Sequence, residues 1–357
     1  MTAPLYAVVL AGGVGSRFWP LSTPNRPKQL LPLVGDHSML TETVARLEPL
    51  VGLARVLILT SRALAPAIRR ELPQLAADQI LEEPRPAGTA AALAWASVVV
   101  AERGGAEARL VSVHADSAIG DDERFRRILA KAAEAAASQG ALATVGIIPT
   151  HANQGLGYIQ PGDVLSGGAR RVARFVEKPD LARAEQMVVD GYLWNSGIFA
   201  WRATDFLAEV SAHTPEVAPA LAHATSGADA FFAAVLSPVS IDVGVMERSA
   251  KVVVLVGDFG WDDVGTWGSL RRLRRGDEHG NTVHGKVHMT DARGNVVHSE
   301  RGTVVLYGVQ DLVVIVRDGV TLVTTVERSD DLKALVDTLP TGLRDAASEA
   351  PPGAPSK

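Results

Sequence analysis

The sequence predicts an α/β fold in which a mostly parallel, doubly wound sheet carries helices on both faces. Two observations predict it: short apolar runs recur along the chain, and helical patterns separate them. The runs expected to form strands are residues 5–10, 55–59, 109–113, 142–148, 171–177 and 251–256. Helices are expected at about 38–48, 61–72, 88–103 and 122–138, with Asp121 or Asp122 placed to cap the last of them.

This Rossmann-like alternation also predicts where a ligand binds. In such sheets the ligand lies beyond the carboxyl ends of the strands, and the loop from Ala11 to about Pro32 follows the first strand at that edge. A loop of this length inside a compact domain usually has a function.

The pattern changes near Arg275. From Asn281 to Val326, short Val-rich segments alternate with turn sequences, which predicts many short strands, and a short helix is expected at about 329–338. The residues from Ala346 to Lys357 are rich in Pro, Ala and Ser and are expected to be disordered. We therefore predict three parts: a large domain at 1–274, a small β-rich domain at 275–340 and a disordered tail at 341–357.

Composition excludes several classes of protein. The net charge of −5 argues against a nucleic-acid binder, which normally carries a basic excess. The absence of cysteine excludes disulfides, thiolate zinc sites and cysteine nucleophiles. No apolar run approaches membrane-spanning length, and the N-terminus lacks the features of a signal peptide. We expect a cytoplasmic protein that does not bind a membrane.

The segment L-A-G-G-V-G-S-R at 10–17 predicts a phosphate site. Its glycines, Gly12, Gly13 and Gly15, let backbone N–H groups approach an anion closely, because no Cβ atom intervenes. Arg17, and Lys28 in the nearby P-K-Q sequence, can supply the positive charge that a polyphosphate needs.

Two common nucleotide-binding motifs do not fit this loop. A dinucleotide fingerprint, as in NAD-dependent dehydrogenases, needs a third glycine where Phe18 stands and a helix that begins at once, which Pro20, Pro24 and Pro27 oppose. A Walker A loop needs a Gly-Lys-Ser/Thr sequence, and the chain has none.

Several further positions are candidate ligand contacts. Asp116 follows the strand at 109–113, and Asp263 lies in W-D-D-V-G; two distant aspartates that converge on one Mg²⁺ are common in phosphoryl transfer. Glu177 and Lys178 end another strand and are expected to contact two parts of a ligand. Asn195 lies within the apolar run W-N-S-G-I-F and can bind sugar hydroxyls, although a buried structural role is the alternative.

Seven motifs in order give the chain a family resemblance. They are L-A-G-G-V-G-S-R-F-W-P-L-S, P-K-Q-L-L-P-L, G-L-G-Y-I, F-V-E-K-P, W-N-S-G-I-F, S-I-D-V-G-V-M-E at 240–247 and W-D-D-V-G-T-W. The chain resembles the sugar-1-phosphate nucleotidyltransferases, most closely the mannose-1-phosphate guanylyltransferases, over about residues 5–338. The resemblance implies that the small β-rich region is a left-handed parallel β-helix, and it leaves a homodimer open.

The resemblance also implies roles for individual residues. Asp116 and Asp263 match the ligands of Mg²⁺, and Arg17 and Lys28 are catalytic with them. Lys178 matches the ligand of the sugar phosphate, and Gly157, Glu177 and Asn195 match residues that contact the sugar. The nucleotide is expected to bind to Leu10, Ala11, Gly12, Gly13, Gly15, Glu83, Gly88 and Thr89.

The chain departs from the family pattern in three places. Ala87-Gly88-Thr89 stands where many bacterial members have Arg-Asn-Thr, which weakens the guanine assignment, and Ser117 replaces a frequent histidine. Some members carry an additional isomerase domain of cupin type. The residues after Arg275 are too few for both that domain and a β-helix, so we do not expect isomerase activity.

The resemblance implies transfer of GMP from GTP to α-D-mannose 1-phosphate, which gives GDP-mannose and pyrophosphate. One alternative is a thymidylyl- or uridylyltransferase that acts on glucose 1-phosphate. The other is a regulatory subunit that binds a nucleotide sugar without catalysis; such a subunit should have lost metal or phosphate ligands, whereas this chain retains them.

Overall fold

The computed structural model describes residues 3–13, 15–317 and 319–346. Its helices are α1 (Met39–Val51), α2 (Ala65–Glu71), α3 (Thr89–Gly104), α4 (Asp122–Gln139), α5 (Leu181–Val189), α6 (Ala203–His213), α7 (Ala228–Ala233), α8 (Leu270–Leu273), α9 (Leu332–Thr338) and α10 (Thr341–Ala346). A short π-helical turn spans Asp242–Met246.

The strands include every run that the sequence indicated. They are β1 (Leu5–Leu10), β2 (Val56–Ser61), β3 (Ile80–Glu83), β4 (Arg109–His114), β5 (Leu142–Ile147), β6 (Tyr158–Val164), β7 (Arg170–Val176), β8 (Leu193–Arg202), β9 (Val252–Gly257), β10 (Thr282–Thr290), β11 (Val296–Tyr307), β12 (Leu312–Arg317) and β13 (Val320–Thr325).

The described residues form two compact units that interleave along the chain. Unit 1 comprises Thr43–Ala115, Ile119–Trp261 and the residues up to Gly12; unit 2 comprises Gly13–Glu42, Asp116–Ala118 and the residues from Asp262 onwards. The division into domains at 1–274 and 275–340 remains a prediction about independently folding parts. Residues 341–346, the first part of the tail expected to be disordered, form the helix α10. The tail residues from 347 onwards lie outside the described part of the chain.

Unit 1 is an α/β unit built on one sheet. Over the described residues this sheet has nine strands, in the order β3-β2-β1-β4-β8-β5-β9-β7-β6. Consecutive residues of β1 and of β4 are buried, which means that these strands are covered on both faces. Leu10 ends β1 beside His114 of β4, so both strands finish at the same edge of the sheet.

The sheet is mixed, which corrects the expectation of a mostly parallel one. The pairs β1–β2, β2–β3, β1–β4 and β5–β9 are parallel, but β8 lies antiparallel between β4 and β5, and β7 lies antiparallel to β9. The strand β8 contains the W-N-S-G-I-F motif. Its polar centre hides the apolar pattern by which a buried strand is recognised.

Unit 2 contains the small C-terminal sheet that the Val-rich segments predict. Its order is β10-β11-β12-β13, with the first two pairs parallel and the last antiparallel. Within this unit, apolar residues of the long loop pack in one core with Trp267 and with the sheet. That core includes Phe18, Leu21, Leu31, Leu33, Val264, Leu270, Val296, Val313 and Ile315.

Candidate active site

The glycine-rich segment begins at the end of β1 and is anchored there by its backbone. The Ala11 N–H donates to the carbonyl of Leu59 at 2.8 Å, and the Thr60 hydroxyl donates to the Ala11 carbonyl at 2.9 Å. Gly12 is exposed, and a Cβ atom there would lie 4.0 Å from Glu83 Oε1. The end of β1 and the end of β3 therefore lie close together within unit 1.

Gly15 makes room for Lys28 in unit 2. Its φ of 70° lies in the left-handed region, and an added Cβ would lie 2.3 Å from Lys28 Cβ. The Ser22 hydroxyl and the Phe18 N–H both donate to the Gly15 carbonyl, at 2.6 and 3.0 Å. The loop thus folds back on itself and fixes the backbone from which Lys28 extends.

Lys28 connects the two predicted metal ligands. Its ammonium donates to the Asp116 carboxylate and to the Asp116 and Asp263 carbonyl oxygens, each at 2.9 Å. The residue is 5% exposed, so its charge lies where water screens it weakly. Since an ammonium has three donors, Lys28 orients the two aspartates as well as supplying positive charge.

The carboxylate of Asp263 belongs to this group. Burial, together with the negative charges of Asp262 and Asp116, raises the pKa of Asp263, while Lys28 opposes that rise. Gly265 lies beside it, and an added Cβ would lie 2.8 Å from Asp263 Oδ2, so a larger residue there would displace this carboxylate. The structure thus brings Lys28, Asp116 and Asp263 together, while their catalytic and metal-binding roles remain a prediction.

Asp262 has a different role from that of its neighbour. Its Oδ1 accepts the Val264 N–H at 2.8 Å, and its Oδ2 accepts two donors of Arg272 at 2.8 and 3.2 Å. The first bond closes a turn in which Val264 has a φ of 47°. A β-branched residue rarely adopts that conformation, so Asp262 stabilises the turn that carries Asp263.

Arg17 lies apart from these contacts. It belongs to a short 3₁₀ helix, Ser16–Phe18, and its side chain is exposed. None of the hydrogen bonds or ion pairs found among the described residues of unit 2 involves its guanidinium, which leaves its donors available to a ligand.

The predicted sugar contacts lie together in unit 1. The Asn195 N–H donates to the Gly157 carbonyl at 2.8 Å, and a Cβ on Gly157 would lie 2.6 Å from Glu177 Oε2. Lys178 Nζ lies 2.7 Å from Glu177 Oε1 and is largely exposed, and its φ of 45° is unusual for a non-glycine residue. Strained residues of this kind cluster at functional sites.

The sequence analysis missed one member of this group, Asp242. Its Oδ1 accepts the Asn195 side-chain N–H at 2.8 Å. Burial and the negative charge of Glu177 raise the pKa of Asp242 to about 6. The signal was present, since Asp242 lies in the quoted motif S-I-D-V-G-V-M-E, but pairing it with Asn195 requires a fold that joins distant segments.

The residues expected to face the nucleotide base divide into two kinds. Glu83 ends β3, and burial raises its pKa to about 7. Gly88 and Thr89 instead hold the chain around residue 240: a Cβ on Gly88 would lie 2.2 Å from the Val239 carbonyl oxygen, and the Thr89 hydroxyl accepts the Ile241 N–H at 2.9 Å. The Thr89 hydroxyl is therefore engaged within the protein.

Comparison with known proteins identifies the family. A family model described as nucleotidyl transferase matches residues 6–280. The chain belongs to the nucleotidyl transferase family. The matched range includes the site residues described above, from the glycine-rich segment to W-D-D-V-G.

Individual relatives are similar over nearly the whole chain. The xanthan biosynthesis protein XanB of Xanthomonas campestris pv. campestris is 38% identical over 96% of this chain and 74% of its own length. The mannose-1-phosphate guanylyltransferase of Escherichia coli K12 is 37% identical, over 93% of this chain and 73% of its own. A solved structure from Thermus thermophilus, described as a mannose-1-phosphate geranyltransferase, has a TM-score of 0.85 and 36% identity over 93% of this chain and 98% of that one.

Proposed function

We propose that this nucleotidyltransferase transfers GMP from GTP to α-D-mannose 1-phosphate and releases pyrophosphate and GDP-mannose. The observation that carries the proposal is the group of Lys28, Asp116 and Asp263, which places one buried cation between two aspartates. That group is typical of sites that handle polyphosphates. The choice of mannose and guanine is supported by relatives of the kind found in Escherichia coli.

No covalent intermediate with the protein is needed. A phosphate oxygen of the sugar phosphate, already ionised at neutral pH, attacks the α-phosphorus of GTP in line. The new P–O bond forms as the bond to the β-phosphate oxygen breaks, and pyrophosphate leaves with that electron pair. Arg17 and the N–H groups of Gly13 and Gly15 stabilise charge on the leaving group, while Leu10, Ala11 and Gly12 continue the nucleotide-binding backbone.

The donor set of Asp116 and Asp263 fits Mg²⁺. Both are carboxylates, the hard oxygen ligands that Mg²⁺ prefers, and Mg²⁺ is usually held by one or two carboxylates with substrate phosphates and water. No group of three or more His, Cys, Asp or Glu side chains that could hold a metal occurs among the described residues. When bound, Mg²⁺ would neutralise phosphate charge.

Two further groups recognise the substrates. In the sugar site, Lys178 binds the phosphate of mannose 1-phosphate, and Gly157, Glu177 and Asn195 contact the ring. At the base, the Glu83 carboxylate accepts hydrogen bonds from the N1–H and the amino group of guanine. Gly88 and Thr89 complete this side of the nucleotide site by holding the backbone near residue 240.

The remaining parts of the proposal concern architecture and setting. The left-handed β-helix is supported by successive parallel pairing of β10, β11 and β12 and by Asn295, whose side chain donates to Asn281 at 2.9 Å across adjacent turns.

A cytoplasmic location agrees with the use of GTP. None of the described helices combines the length and apolarity that a membrane span requires. A homodimer is the proposed assembly, to be measured by light scattering.

The test is pyrophosphate release from each of GTP, ATP, UTP and dTTP with mannose 1-phosphate and with glucose 1-phosphate, in the presence and absence of Mg²⁺. The proposal requires release with GTP and mannose 1-phosphate that exceeds every other pair and stops when EDTA is added. A preference for UTP or dTTP with glucose 1-phosphate would establish the first alternative. Binding of GDP-mannose without turnover of any pair would establish the regulatory one.

A further inference from the structure

Asp242 is held rigidly, although it lies outside any long helix or strand. It begins the π-helical turn, whose neighbours Ile241, Val245 and Met246 are buried in the core of unit 1. The Thr214 hydroxyl donates to the Gly244 carbonyl at 2.7 Å, which fixes the same turn from outside. The backbone that carries Asp242 is therefore held in place.

Asn195 is oriented by this carboxylate. Its side-chain nitrogen donates to Asp242 Oδ1 at 2.8 Å, and its side-chain oxygen accepts the Gly197 N–H at 3.2 Å. Thr144 Oγ1 lies 3.4 Å from the same oxygen. Since the amide oxygen is engaged within the protein, Asn195 has little capacity left to accept a hydrogen bond from a sugar hydroxyl.

Two carboxylates belong to this group: Glu177 lies beside Gly157, and Asp242 bonds to the side chain of Asn195. A Cβ added at Gly157 would lie 2.6 Å from Glu177 Oε2, and the negative charge of Glu177 acts on Asp242. Lys178 engages Oε1 of Glu177, whereas no side chain other than Asn195 bonds to Asp242 in the described part of unit 1. Two acidic groups in a poorly hydrated place need donors, and the hydroxyls of a sugar ring are donors.

We infer that Asp242 is a specificity-determining residue of the sugar site: one oxygen holds Asn195, and the other accepts a hydrogen bond from one hydroxyl of the sugar ring. The inference rests on the proposed function, because the ring must be the one that this site binds. It also assigns Asn195 as the positioned partner and the Glu177–Asp242 pair as the acceptors.

Asp242→Asn tests the contact without removing the side chain. The new amide can still accept the Asn195 N–H through its oxygen, but its other terminal atom becomes a donor, which opposes a hydroxyl donor. The matched control is Asp190→Asn, the same chemical change at an exposed residue that follows α5. Binding of GDP, which lacks the sugar, checks that the nucleotide site of each variant is intact.

The decisive measurement compares mannose 1-phosphate with its 2-, 3-, 4- and 6-deoxy analogues. We expect Asp242→Asn to lower kcat/KM for mannose 1-phosphate by about tenfold or more, the size of one lost buried hydrogen bond. One analogue lacks the hydroxyl that Asp242 contacts. For that analogue, kcat/KM of the wild type and of the variant should differ by less than about twofold. GDP affinity and the KM for GTP should not change.

The inference is overturned if Asp242→Asn lowers kcat/KM equally for all four analogues, or if it does not lower kcat/KM for mannose 1-phosphate. If Asp242→Asn fails to fold, Asp242→Ser undergoes the same comparison, since Ser can accept from either partner. A wild type that ignores mannose 1-phosphate but uses another sugar phosphate overturns the proposed function instead. The deoxy series of that second sugar then tests Asp242 by the same criterion.

Discussion

Arg272 binds Asp262 through two nitrogens, at 2.8 and 3.2 Å from Oδ2, and leaves the adjacent Asp263 without a hydrogen bond from any arginine among the described residues of unit 2. The other oxygen of Asp262 accepts the Val264 N–H, so both of its carboxylate oxygens bond to groups of the protein. The two aspartates of the W-D-D-V-G motif therefore have different roles, which the sequence alone does not distinguish. Asp262 builds a strained turn, and Asp263 is presented by it.

The first prediction follows from this division. Asp263→Asn should lower kcat by about 10³-fold or more with little change in melting temperature, because it removes a charge that Mg²⁺ needs and leaves the turn intact. Asp116→Asn should behave in the same way. Asp262→Asn should instead lower the melting temperature, because it weakens the ion pair with Arg272. The measurements are kcat at saturating Mg²⁺ and thermal unfolding of each variant.

The control for this prediction is Asp258→Asn. Asp258 follows β9, is highly exposed and pairs with Arg124 at the surface, so its substitution should leave both kcat and stability nearly unchanged. Near-normal kcat in Asp263→Asn, with a large loss in Asp262→Asn, would exchange the roles assigned to the two aspartates.

The second prediction concerns the loop glycines. Gly15→Ala should destabilise the protein by about 1–3 kcal/mol, because it combines a left-handed φ with a Cβ 2.3 Å from Lys28 Cβ. The matched control is Gly13→Ala, since an added Cβ there meets no atom within 4 Å. Urea unfolding of both variants provides the comparison, and equal midpoints would show that the close approach to Lys28 has no energetic consequence.

Much of the fold and part of the site could be predicted from the sequence. Strands such as β1, β4 and β9 are buried apolar runs, and their pattern is visible locally. The strand β8 was missed, because its centre is polar and because its antiparallel place between β4 and β5 depends on distant segments. The pairing of Asp242 with Asn195 was missed for the same reason.

A third prediction distinguishes the roles of Arg17 and Lys178, two exposed cationic side chains. Arg17→Ala should mainly lower kcat, by about 10²–10³-fold, because its unengaged guanidinium stabilises charge that develops on pyrophosphate. Lys178→Ala should mainly raise the KM for mannose 1-phosphate and leave the KM for GTP nearly unchanged. Steady-state kinetics with each substrate varied in turn checks both, and equal rises of the two KM values in Lys178→Ala would contradict this division.

The last prediction uses the carboxyl group of Glu83. Burial raises its pKa from 4.5 to about 7, so the folded protein holds this proton more tightly than the unfolded chain does. The stability associated with Glu83 is therefore fully present below about pH 4.5 and is lost as the pH rises to about 7, by at most about 3 kcal/mol. Glu83→Gln does not titrate, so its melting temperature relative to wild type should rise between pH 5 and pH 8.

Protonation of Glu83 favours folding, but it should weaken the binding of GTP. Guanine offers two donors, which the ionised carboxylate accepts and the protonated one does not, so kcat/KM for GTP should rise as the pH passes through about 7. In Glu83→Gln the value should be lower and this step should disappear. Rates measured from about pH 5.5 to 8.5 at saturating mannose 1-phosphate check it. A step that persists in the variant would assign the titration to another group and remove Glu83 from recognition of the base.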